Sequence, residues 1–76
     1  MIELRYRTED GVMLVEGDRA YDYYNMKPGY IGEAHNPEDA DVWFDFHHDD
    51  GTRCLLNGQR ICSVDFAIRR GFKGAA

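Results

Sequence analysis

With 76 residues and 8.8 kDa, the chain has material for one domain with a small core and excludes a second. Apolar residues make up 43%, aromatics 13% and charged residues 30%, which is globular rather than disordered composition; no apolar run approaches the ~20 residues of a membrane helix. The net charge of −5 is uneven, since residues 1–51 carry four basic side chains against thirteen acids and residues 52–76 carry five against Asp65 alone, a thin footprint for a phosphate backbone.

Ile2, Leu4 and Tyr6 alternate with Glu3, Arg5 and Arg7, the period of a half-buried strand. Thr8-Glu9-Asp10-Gly11 turns the chain, and residues 12–15 are expected to return antiparallel to the first strand. After a break at Gly17-Asp18, residues 19–24 are rich in the aromatics that suit a pleated surface. Pro28-Gly29 has the chemistry of a type II turn centre, leading into a strand over 30–34. The acidic stretch 35–41 reads as a loop. Val42, Phe44 and Phe46 then alternate with Trp43, Asp45 and His47, which sends the first three inward and the second three to the other face.

Asp49-Asp50-Gly51 turns into a strand over 52–56, and Asn57-Gly58 predicts a two-residue hairpin turn into a strand over 59–63. That register sets Cys54 against Ile61 and Arg53 against Cys62, with the thiols on opposite faces and free. A three-residue loop pairing Leu56 with Arg60 would instead face Cys54 to Cys62. Free thiols agree with a reducing compartment. Nothing at the start resembles a cleavable signal, so the expected location is the cytoplasm, or the host cytoplasm for a viral protein. Ser63 as N-cap, Asp65 in the first turn, Arg69 and Arg70 in the last and Gly71 just beyond predict a short helix over 64–70. Residues 71–76 are a tail.

Short strands joined by tight turns, with one short C-terminal helix, predict a mainly β fold across residues 1–76: a small antiparallel barrel of five to seven strands. Closure removes exposed sheet edges and lets one layer of side chains fill the interior. The predicted core is Leu4, Leu14, Ala20, Ile31, Val42, Phe44, Phe46, Cys54, Leu56, Ile61, Val64 and Phe66.

Gly17-Asp18-Arg19-Ala20-Tyr21-Asp22-Tyr23-Tyr24, Pro28-Gly29-Tyr30-Ile31, Trp43-Phe44-Asp45-Phe46 and Asp49-Asp50-Gly51-Thr52 resemble Src-homology-3-like small barrels of the KOW and Tudor kind. The likeness covers about residues 17–63, the expected barrel. It departs from the pattern at Ala20, where those domains carry a larger β-branched residue. Similar segments occur in compact reading frames of bacteriophages and actinobacteria. The resemblance implies binding without catalysis, with peptides, modified side chains or nucleic acid as ligands.

His47-His48-Asp49-Asp50, with His35, Asp41, Asp45 and the two cysteines nearby in sequence, brings a metal-dependent hydrolase to mind. Adjacent strand residues point to opposite faces, however, and a histidine beside a turn is expected to be solvated. No histidine is placed beside Cys54 or Cys62, and the glycines fall singly at turns rather than in a phosphate loop. The expectation is therefore a non-enzyme with no catalytic residue, metal or cofactor. Tyr21, Tyr23, Tyr24, Tyr30 and Trp43 are too many rings for so small an interior, and the outward face is assigned to Tyr21, Tyr23, Tyr30 and Trp43. With Asp22 and Asp45 between them they predict an outward face for a protein or peptide, biased toward a positively charged partner; a second copy of the chain is one such partner. The alternative is a nucleic-acid or nucleotide binder using Arg53, Arg60, Arg69 and Arg70.

Overall fold

In the computed structural model the described residues, 3–75, form seven strands and one α-helix. Strands β1 (Tyr6–Arg7) and β2 (Met13–Leu14) pair as an antiparallel ribbon, as expected; Ile2, the start of the predicted first strand, lies outside the described residues. Strands β3 (Arg19–Asp22), β4 (Lys27–Ala34), β5 (Phe44–His48) and β6 (Arg53–Leu56) run as an antiparallel meander. A 3-10 turn at Gly58–Arg60 leads to β7 (Ile61–Cys62), which returns to pair with β3. The strand order β6-β5-β4-β3-β7 is curled into a half-barrel.

Curling follows from β4. The pairing of β4 with β5 slips between Ile31 and Ala34, and a bulge bends the strand that carries it. Gly29 and Gly32 let β5 come close: a side chain at Gly32 would meet the His47 ring at 2.6 Å. As a result Leu56 on one sheet edge and Ile61 on the other join a single cluster with Tyr6, Ala20, Ile31, Phe44 and Phe46, flanked by Leu4, Leu14, Val42 and Cys54. The small Ala20 is fully buried there.

Two turn expectations are corrected. Pro28 and Gly29 lie inside β4, and the chain turns earlier, over residues 23–26. The Asp22 carboxylate accepts from the Asn25 backbone N–H at 2.9 Å and Met26 adopts a left-handed conformation with φ 59°, so an Asx-type turn displaces the Pro-Gly one. Asn57-Gly58 is no hairpin either: β6 pairs with β5 and β7 with β3, so neither proposed facing of Cys54 and Cys62 occurs. Gly58 lies against β1, where a Cβ would collide with the Arg7 carbonyl. Close backbone approach, not turn conformation, requires glycine there. Both thiols are nonetheless free, with Cys62 buried and Cys54 partly so.

Helix α1 (Val64–Arg70) has the ends its sequence predicts. The Ser63 hydroxyl accepts from the Phe66 N–H, and Gly71 closes the helix in the left-handed region at φ 70°. Asp10 ties this N-cap to the first turn of the chain: its carboxylate accepts from the Ser63 hydroxyl at 2.6 Å, the Ser63 N–H at 2.9 Å and the Thr8 hydroxyl at 2.6 Å. Burial alone would raise the Asp10 carboxyl, but these bonds together hold it below its usual range. Asp10→Ala is expected to lower stability by about 1–2 kcal/mol at neutral pH, read by urea denaturation. A depressed carboxylate stabilises above its unfolded value, ~3.9, and loses that contribution as pH falls through its lower folded value. The difference between the variant and the parent should therefore vanish in acid.

Candidate functional sites

The predicted aromatic face is divided by α1. This helix and the segment after it lie on the outer face of β3 and β7, where Phe66, Ala67, Phe72 and Ala75 cluster around Tyr21 and Cys62. Tyr21 is consequently buried rather than outward: its ring centroid lies 5.6 Å from that of Phe72, and its hydroxyl donates to the Lys73 carbonyl at 2.6 Å. Asp22, also expected outside, is completely buried. Tyr23 is half-buried against the same cluster and donates its hydroxyl to the Gln59 carbonyl. The alternation was read correctly, but alternation alone does not reveal that a helix covers the far side of the sheet.

Tyr30 and Asp45 remain on the uncovered part of that face. Tyr30 is exposed and stacks on His47 across the β4–β5 pair, with centroids 5.0 Å apart and planes at 17°. Asp45 pairs with His35 at 2.8 Å, a bond that holds its carboxyl below the usual range.

Trp43 belongs to a different group, which includes a residue outside the predicted set. Tyr24, the most exposed large apolar side chain at 64%, lies 4.5 Å from the Arg60 guanidinium, and the Trp43 ring lies 5.6 Å from the same carbon. Both separations are within cation–π range. Trp43 is positioned by Asn36, whose Oδ1 accepts the Trp43 backbone N–H at 2.7 Å. The Asn36 amide also donates to the Asp39 carboxylate and to the Asp41 carbonyl, each at 2.9 Å, so the acidic loop is organised beside the ring.

The four arginines of the basic reading are carried by separate elements. Arg53 lies on the β6 edge, Arg60 is in the 3-10 turn, and Arg69 and Arg70 lie on α1, which packs on the outer face of β3 and β7. Arg70 stacks on Phe66 at 5.0 Å.

A second constellation went unforeseen. His48 was expected in solvent and no histidine was expected beside a cysteine; instead His48 is buried, continuing the inward phase of Phe44 and Phe46. Its Nε2 lies 2.7 Å from Asp22 Oδ2, and Cys54 Sγ is 3.7 Å from each of those atoms. The Asn25 amide nitrogen is 2.8 Å from the same Asp22 oxygen and 3.5 Å from Cys54 Sγ. On the other side of the ring His48 Nδ1 meets Thr52 Oγ1 at 3.0 Å, and Phe46 packs on the ring edge. Burial, with Asp22 second, pushes the Cys54 thiol up to about 11, so it stays protonated and poorly nucleophilic at neutral pH. The inward phase of His48 and the core placement of Cys54 were the available signals; their meeting with Asp22 depends on the sheet's curl.

No protein family, curated protein or solved structure matches the chain. No helix among the described residues is long and apolar enough to cross a membrane. A cleft between β1, residues 40–42 and the 3-10 turn measures about 200 Å3, below the roughly 300 Å3 at which ligand pockets begin.

Proposed function

We propose that the chain is a non-enzymatic binding module that takes a positively charged protein segment at Tyr24, Trp43 and the acidic loop containing Glu38, Asp39 and Asp41. The observation that carries this reading is the Arg60 guanidinium lying over both rings. The free protein's own cation occupies the place a ligand arginine or lysine would take. Carboxylates on the Asn36-organised loop add attraction of the same sign. Within this reading the fold is a Src-homology-3-like small barrel. The strand order supports that assignment: four strands form a meander, and a fifth returns through a 3-10 turn to the first. A second copy offering Arg69 and Arg70 is one partner with the required charge.

Trp43 is the chain's one tryptophan, so its fluorescence reports the site directly. A tetra-arginine peptide is expected to change that emission saturably, whereas a tetraglutamate peptide leaves it unchanged. Tyr24→Ala should weaken peptide binding by about 3- to 10-fold, the worth of one partly exposed cation–π contact, and Arg60→Ala should strengthen it by removing the internal competitor. Saturable binding that is indifferent to both substitutions would refute the site.

A further inference from the structure

We propose that Asp22, His48 and Cys54 form a binding site for one divalent metal ion of the zinc class. Hydrogen-bond donors and acceptors lead to this first. The single hydroxyl proton of Thr52 goes to Asp50 Oδ1 at 2.6 Å, an acceptor carboxylate that also receives the Thr52 N–H and pairs with Lys27. Lys27 Nζ donates to the same Thr52 oxygen at 3.2 Å. Toward His48 Nδ1 that oxygen can therefore only accept, so Nδ1 carries a hydrogen. A neutral ring then turns a bare Nε2 lone pair on Asp22 Oδ2, 2.7 Å away. Two acceptors at that distance require a cation between them, either a proton or a metal ion.

The third ligand favours the metal. Tetrahedral zinc with bonds of ~2.0 Å to nitrogen and oxygen and ~2.3 Å to sulfur sets ligand atoms roughly 3.3–3.6 Å apart. Cys54 Sγ lies 3.7 Å from both His48 Nε2 and Asp22 Oδ2, so only the 2.7 Å His48–Asp22 separation must open, by roughly half an ångström. All three ligand atoms fall within 4.8 Å of one another. A set of one sulfur, one nitrogen and one oxygen suits zinc-like ions and disfavours calcium or magnesium. The Thr52–Asp50 relay behind Nδ1 is the outer support that fixes a ligating ring. Asn25 flanks the cluster with its amide nitrogen, 3.5 Å from Cys54 Sγ, which leaves the fourth position to a water.

With a divalent ion bound, one carboxylate and one thiolate balance its charge, as a buried site demands. The bound ion would pin β3, β5 and β6 together at one end of the half-barrel.

The test adds Co2+ or Zn2+ to metal-stripped protein in weakly buffered solution near neutral pH. Expected are one ion per chain, release of the Cys54 thiol proton on binding, and a cobalt–thiolate charge-transfer band that Cys54→Ser abolishes and Cys62→Ser retains. At a hundredfold excess over the dissociation constant, zinc should raise the melting temperature by about 10 °C or more. If Cys54→Ser does not fold, the parent protein answers the question: zinc should shield Cys54 from a thiol alkylator, with the modified site read by mass spectrometry. Absence of a thiolate band, a band that follows Cys62, or alkylation of Cys54 indifferent to zinc would overturn the proposal and leave a buried Asp22–His48 hydrogen bond.

Discussion

Phe46→Ala is expected to reduce the free energy of unfolding by about 3–5 kcal/mol. The side chain is fully buried on β5, with Ile31 and Cys54 as its cross-strand neighbours and the His48 ring against its edge. One ring therefore supports both halves of the meander and the polar cluster beyond it. At roughly 0.05–0.15 kcal/mol per residue, 76 residues hold about 4–11 kcal/mol in all, so this one change removes a large share of it. Urea denaturation should show the midpoint falling steeply while the slope stays constant. A loss below about 1.5 kcal/mol would mean that the cluster collapses into the vacated space.

Gly29→Ala should be nearly as severe, by a different mechanism. A Cβ at this position would strike the His47 carbonyl oxygen, with Phe46 Cε2 at 2.7 Å and the His47 carbonyl carbon at 2.9 Å. Two of those three atoms are backbone in the paired strand, so relief requires β4 and β5 to part. The expected loss is about 3 kcal/mol, the upper end for overpacking, against the 0.5–1 kcal/mol that alanine ordinarily gains over glycine in a strand. Gly51→Ala makes the comparison. Gly51 has φ +91° and open space around its missing Cβ, so the change there brings only conformational strain, about 1–2 kcal/mol. Equal losses at the two sites would contradict the steric account.

The parts of the fold written into local chemistry were legible. Alternation through residues 42–47 oriented β5 correctly, and four end signals located α1 from Val64 to Arg70. Most of the core followed, although Tyr6, Tyr21, Cys62 and Ala67 were missed. Pro28-Gly29 and Asn57-Gly58 misled because their residue types have two uses. Glycine serves a turn, but it also serves wherever another backbone crosses closely, as β5 does at Gly29 and β1 at Gly58. Which use applies is settled by tertiary contacts that no short window contains.

The candidate sites divide along the same line. Trp43 and Asp45 were placed on the outer face by strand phase and Tyr30 by the surplus of rings, whereas Tyr21 and Asp22 were assigned to the wrong environment once α1 and the curled sheet enclosed them. Tyr24 was counted among the surplus rings but not placed on the predicted face, because the strand ends at Asp22 and frees its ring from the alternation. The meeting of Asp22, His48 and Cys54 joins three strands through contacts spanning up to 32 residues, a spacing that matches no contiguous motif.

The pairing of β7 with β3 also bears on how the chain is made. Tyr21 finds its partner Cys62 only some 40 residues later. At the usual ribosomal pace of ~5–20 residues per second, β3 waits roughly 2–8 s for it. During that interval the neighbouring hairpins can assemble within microseconds, but Ile31, Phe44 and Phe46 lack the Ile61 side of their enclosure. Translation therefore exposes a half-finished greasy trough, sealed only when the final strand arrives and the helix settles over Tyr21. A nascent chain arrested before Cys62 should be a ready client for hydrophobic holdases, and release of the remaining residues should end that dependence.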